Sequence, residues 1–211
     1  VAYEKMETFF SKEKIKITGN PVRNIIAHNQ WSKAEAIQFF NLDNNKKTIL
    51  IVGGSLGAKS INEAIGADFK RIINDEIQII WQTGKPFFEE AKAIVNGFES
   101  GINVFNFIKE MDKAYAAADF VISRAGALAI AELCIVAKPV IFVPYPFAAE
   151  DHQTSNAMAL VEKNAAILIK DNEVKEKIAV SINSLIKDEN LQTKMIENLK
   201  KLAIKNADEL I

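Results

Sequence analysis

The chain has 211 residues, with 26 Lys plus Arg against 27 Asp plus Glu and a formal net charge of −1. At 49% hydrophobic and 25% charged residues it has the make-up of a globular protein, not of a disordered or fibrous chain, and its near-neutrality argues against bulk nucleic-acid binding. A single cysteine, Cys134, excludes an intramolecular disulfide and points to a reducing compartment, while the longest stretches free of Lys, Arg, Asp and Glu, 48–58 and 139–149, fall far short of the ~20 apolar residues of a membrane-spanning helix.

The chain opens on Val1 inside an amphipathic pattern with Met6, Phe9 and Phe10, interrupted by Glu4, Lys5 and Glu7. This does not resemble a signal peptide, and reads as a processed terminus or as a piece of a longer protein. Residues 1–47 suggest a partial helix, a short strand over Lys14–Thr18, a Gly19-Asn20-Pro21 turn, a further helical stretch and an Asn-rich loop.

From Thr48 onward short apolar runs alternate with helical patterns. Strands are predicted over Thr48–Val52, Ile77–Trp81, Ile102–Phe105, Phe120–Ile122, Val140–Val143 and Ala165–Ile169. Helices are predicted between them, over Ser60–Asn74, Phe87–Asn96, Met111–Ala118, Leu128–Val136 and Thr154–Lys163. The alternation, with strands that read as continuously apolar, specifies an α/β fold with a parallel, Rossmann-like doubly wound sheet covered on both faces. After Asp171 it gives way to two consecutive helices, Glu173–Ile186 and Asn190–Ile204, with solvated Lys- and Glu-rich faces.

In such sheets ligands bind beyond the carboxyl ends of the strands, and two loops there are unusual. The first, Gly53-Gly54-Ser55-Leu56-Gly57-Ala58, lets the backbone turn sharply and approach a ligand, with a helix N-terminus behind it to receive an anion. It matches neither the dinucleotide fingerprint nor a P-loop, and a tight strand-to-helix turn without a ligand would also explain it. The second, Ser123-Arg124-Ala125-Gly126-Ala127-Leu128-Ala129, opens a helix on small residues, so its first amides are accessible to a phosphate. Glu132 follows one turn later among Ile130, Leu133 and Ile135, placed to accept hydrogen bonds from sugar hydroxyls; a solvated surface Glu is the plainer alternative. In the loop Pro144 to Gln153, Gln153 can both donate and accept, which suits a sugar hydroxyl pair. His152 is a candidate base, but no Ser or Cys is spaced to form a triad with it. There is no D-x-D pair and no zinc-type Cys/His cluster, so a diphosphate would be neutralised by helix N-termini and Arg, with no metal.

Gly19-Asn20-Pro21-Val22-Arg23, the glycine-rich loop, Phe107-Ile108, Ala114-Tyr115-Ala116-Ala117-Ala118-Asp119, Ser123-Arg124-Ala125-Gly126-Ala127, Glu132-Leu133, Lys138-Pro139, Pro144-Tyr145-Pro146 and Asp151-His152-Gln153 with Asn156-Ala157 occur in this order. Together they resemble the C-terminal half of the MurG family, the peptidoglycan N-acetylglucosaminyltransferases that make lipid II from lipid I. The resemblance covers residues 1 to about 170. It implies the C-terminal domain of a GT-B fold, two Rossmann-like domains facing across a cleft. Residues 1–25 would be the end of the N-terminal domain and the linker, 26–187 the UDP-sugar domain, and 188–211 a C-terminal helix crossing back to the missing domain.

The resemblance also implies roles. Arg23 would lie against the nucleotide and Ser55 would contact the diphosphate, with Gly53, Gly54, Gly57 and Gly126 shaping the phosphate loops. Ile108 would read the uracil edge through its backbone; Ala127, Leu128 and Ala129 would offer amides to the phosphates. Glu132 would hold the ribose and Gln153 the transferred sugar. The donor would be UDP-N-acetylglucosamine with no cofactor or metal. The acceptor, lipid I, would be held by the missing domain, which also carries the general base for an inverting transfer, so the site residues here are binding residues and none is assigned as catalytic. A cytoplasmic location follows, with the intact enzyme peripheral on the inner membrane. Two positions depart from the family: Ala129 stands where Thr is usual and Ala137 where Gly is usual. A non-catalytic subunit of a split glycosyltransferase, and another GT-B enzyme such as a UDP-sugar epimerase, are the alternatives. An NAD-binding domain is disfavoured because Gln82-Thr83-Gly84 stands where a ribose-binding acid is expected.

Overall fold

In the computed structural model, which describes residues 11–16, 18–73 and 76–210, the apolar runs become six parallel strands. They are β1 (Lys47–Val52), β2 (Ile77–Gln82), β3 (Ile102–Phe105), β4 (Phe120–Ser123), β5 (Val140–Phe142) and β6 (Ile167–Leu168), in the order β3-β2-β1-β4-β5-β6. The direction in which the chain winds across the sheet therefore reverses between β1 and β4, the place where doubly wound sheets open a crevice. Register aligns the strand ends there: Val52 lies opposite Gln82 on one side and Ser123 on the other. The loops that begin at Gly53, Thr83 and Arg124 consequently leave the sheet side by side.

The helices are α1 (Asn24–Ala27), α2 (Lys33–Phe39), α3 (Lys59–Ile72), α4 (Phe88–Ile94), α5 (Met111–Ala117), α6 (Ala127–Val136), α7 (His152–Val161), α8 (Val174–Lys187), α9 (Glu189–Leu202) and α10 (Ala207–Leu210). Because side chains alternate along a strand, β1 feeds two cores at once. Leu50 and Val52 join Ile26, Ile37, Ala114, Leu133 and Leu199 on one face, while Ile49 and Ile51 join Ile61, Ile65, Ala91, Ile178 and Ile182 on the other. That double burial is why the strands carry no polar alternation.

The expected strand over Lys14–Thr18 does not form among its described residues; Lys12–Lys14 is a 3-10 turn closed by Lys14 N–H onto Ser11 O at 2.8 Å. Apolar alternation alone does not make a strand without a ladder to join, and the sheet edges belong to β3 and β6. The segment instead runs along the helical layer, where Gly19 packs on Ile204 and Asn20 Nδ2 donates to Ala127 O at 3.3 Å. The partial helix expected within residues 1–10 lies outside the described residues.

Ala137 closes α6 in the left-handed conformation, φ 49° and ψ 50°, donating its N–H to Leu133 O at 2.9 Å. That conformation costs an L-residue about 1–2 kcal/mol, and glycine adopts it without that cost. Ala137→Gly is therefore expected to stabilise the chain by about 1 kcal/mol, after the extra entropy of unfolded glycine is deducted. Thermal unfolding checks this: a melting point equal to or below that of the parent would show that the buried Ala137 methyl outweighs the backbone strain.

Candidate functional site

The glycine-rich loop after β1 is a tight turn, with Gly57 N–H donating to Gly54 O at 3.0 Å. Gly54 and Gly57 adopt φ of 89° and 77°. A Cβ on Gly57 would fall on the carbonyl of Thr83, one on Gly84 on the carbonyl of Leu56, and one on Gly53 on the amide of Ala58. Gly57 and Gly84 are thus required for backbone-on-backbone packing of the two loops and Gly53 for the tight turn within its own, whereas Gly54 faces open space. Ser55 and Leu56 at the tip of the turn are exposed.

Across the switch point of the sheet, Gly126 is the N-cap of α6, with φ −67°, and as a glycine it brings no capping side chain of its own. The amides of Leu128 and Ala129 lie in the first turn, ahead of any intrahelical acceptor, and the helix end carries a partial positive charge. Gly126 has nothing within 4 Å of a Cβ position, so an anion can come close. Neither Ala127 nor Ala129 brings a hydroxyl to this end.

Glu132 is one turn further along α6 and only 3% exposed. Arg23 Nε donates to its Oε1 at 2.7 Å and Arg23 Nη2 to Oε2 at 2.9 Å, a bidentate pair between residues 109 apart in sequence. Tyr115 OH adds a bond to Oε2 at 3.3 Å. Burial, reinforced by the Glu132 charge, pushes the Tyr115 hydroxyl far above its ordinary range, so it remains a donor. Hydrogen bonding to Glu132 raises Arg23. Such charge-assisted, forked contacts fix a carboxylate's orientation. The plain reading of Glu132 as a solvated residue is excluded, and Arg23 is brought to the same corner.

Ile108 is buried, and its N–H donates to Gln82 Oε1 at 2.8 Å, so that amide is turned toward the protein. Gln153 Oε1 accepts from Ala125 N–H at 3.2 Å and Tyr145 N–H at 3.0 Å, which leaves its Nε2 as the group to meet a ligand. His152 opens α7 at the surface.

Arg124, Gln82 and Tyr115 belong to this site and were not singled out by sequence reasoning. Arg124 Nη1 donates to the carbonyls of Val143 at 2.9 Å and Pro144 at 3.0 Å and pairs with Asp171, while its Nη2 reaches Ser60 Oγ at 3.0 Å. It clamps the loop after β5 to α3 and to the segment before α8. The available signal was an Arg directly after a buried apolar strand. Among the described residues no group of three or more His, Cys, Asp or Glu is placed to hold a metal, and no helix is long and apolar enough to cross a membrane. Chemically, the site offers amides and a helix end for an anion, and a fixed carboxylate for a pair of hydroxyls.

The family profile described as the glycosyltransferase family 28 C-terminal domain matches residues 48–211. A Flavobacterium psychrophilum protein named UDP-N-acetylglucosamine--N-acetylmuramyl-(pentapeptide) pyrophosphoryl-undecaprenol N-acetylglucosamine transferase is 48% identical over 216 aligned residues, which cover 100% of this chain and 58% of the relative. A Bacteroides thetaiotaomicron protein of the same name is also 48% identical, over 100% of this chain and 58% of its own. Among solved structures, the MurG of Acinetobacter baumannii superposes with a TM-score of 0.76 at 30% identity, over 99% of this chain and 57% of that one. The MnaA–UDP complex of S. aureus gives a TM-score of 0.70 at 17% identity over 97% of this chain and 54% of its own, a likeness of fold alone. The chain thus spans a little over half the length of the curated relatives it matches. It belongs to the glycosyltransferase family 28 C-terminal domain family.

Proposed function

We propose that this chain is the donor-binding part of an inverting glycosyltransferase that moves N-acetylglucosamine from UDP-N-acetylglucosamine to lipid I, giving lipid II. The observation that carries the reading is the buried carboxylate of Glu132, held by Arg23 and Tyr115 one turn behind the open N-terminus of α6. A nucleoside diphosphate needs this pairing of an anion site with a hydroxyl acceptor at ribose distance. The α6 amides and the turn at Ser55 take the diphosphate, Glu132 takes the ribose hydroxyls, and Nε2 of Gln153 reaches the transferred sugar.

In this reading the chain contributes to catalysis by positioning. The departing UDP gains negative charge as the glycosidic bond breaks, and prearranged amides and the helix dipole stabilise that charge without reorganising. Inversion requires a base to take the proton of the acceptor hydroxyl. That base, the lipid I site and the membrane contact belong to the partner half, with residues 1–25 leading in from it and 188–211 returning to it.

UDP-N-acetylglucosamine at about 100 times its Kd is expected to stabilise the chain by about 2.7 kcal/mol. For a domain of this size that is a rise in melting temperature of roughly 5–10 °C. NAD at the same concentration should give none. The absence of a shift at millimolar donor would count against donor binding, and an equal shift with NAD would return the fold to the dinucleotide reading.

A further inference from the structure

Gln153 is the second residue of α7, and its Oε1 accepts two backbone donors, Ala125 N–H at 3.2 Å and Tyr145 N–H at 3.0 Å. Each of those N–H groups belongs to a peptide whose carbonyl is gripped on the far side. All peptide bonds described are trans, so the N–H of a peptide points opposite to its C=O. The carbonyl of Pro144, which shares its peptide with Tyr145 N–H, accepts from Arg124 Nη1 at 3.0 Å. The carbonyl of Arg124, which shares its peptide with Ala125 N–H, accepts from Ser123 Oγ at 2.8 Å. The two loops are tied once more by Val143 N–H, which donates to Ser123 O at 2.9 Å.

Arg124 is itself held from several sides. Its side chain is 11% exposed and its guanidinium lies 5.6 Å from the centre of the Tyr145 ring. Nη1 also meets Val143 O at 2.9 Å and the Asp171 carboxylate, and Nη2 reaches Ser60 Oγ at 3.0 Å. One planar fork therefore joins the loop after β5, the first turn of α3 and the segment before α8, a span that a point charge would not cover. A guanidinium has no acceptor, so it draws the Pro144 carbonyl toward itself and directs the Tyr145 N–H at Gln153. Two donors on one oxygen also settle which way the Gln153 amide faces, since the reverse orientation would set Nε2 against two N–H groups. Nε2 is turned away from both loops, as a donor.

We propose that Arg124 is a positioning residue for the transferred sugar: through the Pro144–Tyr145 peptide it holds Gln153 as a hydrogen-bond donor, to be met by an oxygen of the sugar, a hydroxyl or an acyl carbonyl. This rests on the donor-binding reading above. With both Nη atoms engaged by protein acceptors, Arg124 acts without touching the donor, and its effect falls on the sugar end of the site.

The readout is the Kd of UDP divided by that of UDP-N-acetylglucosamine. It is measured by isothermal titration in the parent chain, in Gln153→Ala, in Arg124→Met and in the variant carrying both changes, at a temperature where melting curves show each to be folded. The ratio isolates the sugar, because general loosening of the nucleotide site weakens both ligands alike. Gln153→Ala should lower it at least about fivefold and Arg124→Met at least about threefold. The doubly substituted chain should fall no further than Gln153→Ala alone, since the two changes remove the same contact. Should Arg124→Met not fold, Arg124→Lys takes its place: it keeps a charge opposite Asp171 without the fork, and should lower the ratio at least about twofold. The proposal is overturned if the Arg124 variant keeps the ratio of the parent, if the two changes multiply in the doubly substituted chain, or if Gln153→Ala leaves the ratio unchanged. A parent that binds no UDP overturns the donor reading itself, a result distinct from these.

Discussion

A Glu132→Ala variant should bind UDP about 10- to 100-fold more weakly than the parent chain. A carboxylate that accepts hydrogen bonds from ligand hydroxyls contributes about 1.5–3 kcal/mol, and each 1.4 kcal/mol is tenfold in affinity. The effect is large because Glu132 is already oriented: the Arg23 fork at 2.7 and 2.9 Å and the Tyr115 hydroxyl at 3.3 Å fix its carboxylate. The same change strands the buried Tyr115 hydroxyl and the Arg23 guanidinium. Arg23 keeps 42% of its side chain in solvent, so its loss is screened, and the stability cost is of order 1–3 kcal/mol and arises chiefly at Tyr115. Glu132→Gln retains an acceptor for both neighbours and should be the milder change in both measurements. Titration with UDP at matched folded fractions is decisive, because a well-folded Glu132→Ala chain that binds within twofold of the parent would remove the ribose role.

The scaffold was more legible than the wiring of its site. The strands could be read because the central ones are buried on two faces, and an unbroken apolar run such as Ile49 to Val52 is what a doubly covered parallel strand leaves in a sequence. The segment before α1 could not, since Ile15 and its neighbours alternate without a strand to pair with. Glu132 stood out by its apolar neighbours, yet its partner Arg23 lies 109 positions away and Arg124 finds Asp171 47 positions on. No local pattern encodes such pairings. Gln82 was read only as a missing acid, because the groups it binds, Gly54 O and Ile108 N–H, belong to the backbone and leave no residue-type signature in a sequence. Ala137 is a third kind of case: the departure from glycine was visible, and only the φ of 49° shows that it carries strain.

The glycines of the two loops should separate structural from ligand roles, since the same substitution meets opposite surroundings. Gly57→Ala places a methyl group on the Thr83 carbonyl and holds alanine at φ 77°. The left-handed conformation costs about 1–2 kcal/mol, and forcing two backbones apart a further 1–3 kcal/mol. A fall in melting temperature of at least about 5 °C is expected, with UDP binding lost as the loop leaves Gly84. Gly126→Ala has neither problem: its φ is −67° and nothing lies within 4 Å of the new methyl. Its stability should change by no more than ~1 kcal/mol, the difference between glycine and alanine as an N-cap. Its UDP affinity should nevertheless drop about tenfold, because the methyl occupies the approach to the first amides of α6, where the phosphates would dock. Melting curves therefore separate the two variants, while UDP binding falls in both, through the fold in Gly57→Ala and at the phosphate contact alone in Gly126→Ala. Unchanged UDP binding in Gly126→Ala would move the phosphates away from α6, and an unchanged melting point in Gly57→Ala would mean that the two loops are not held against each other.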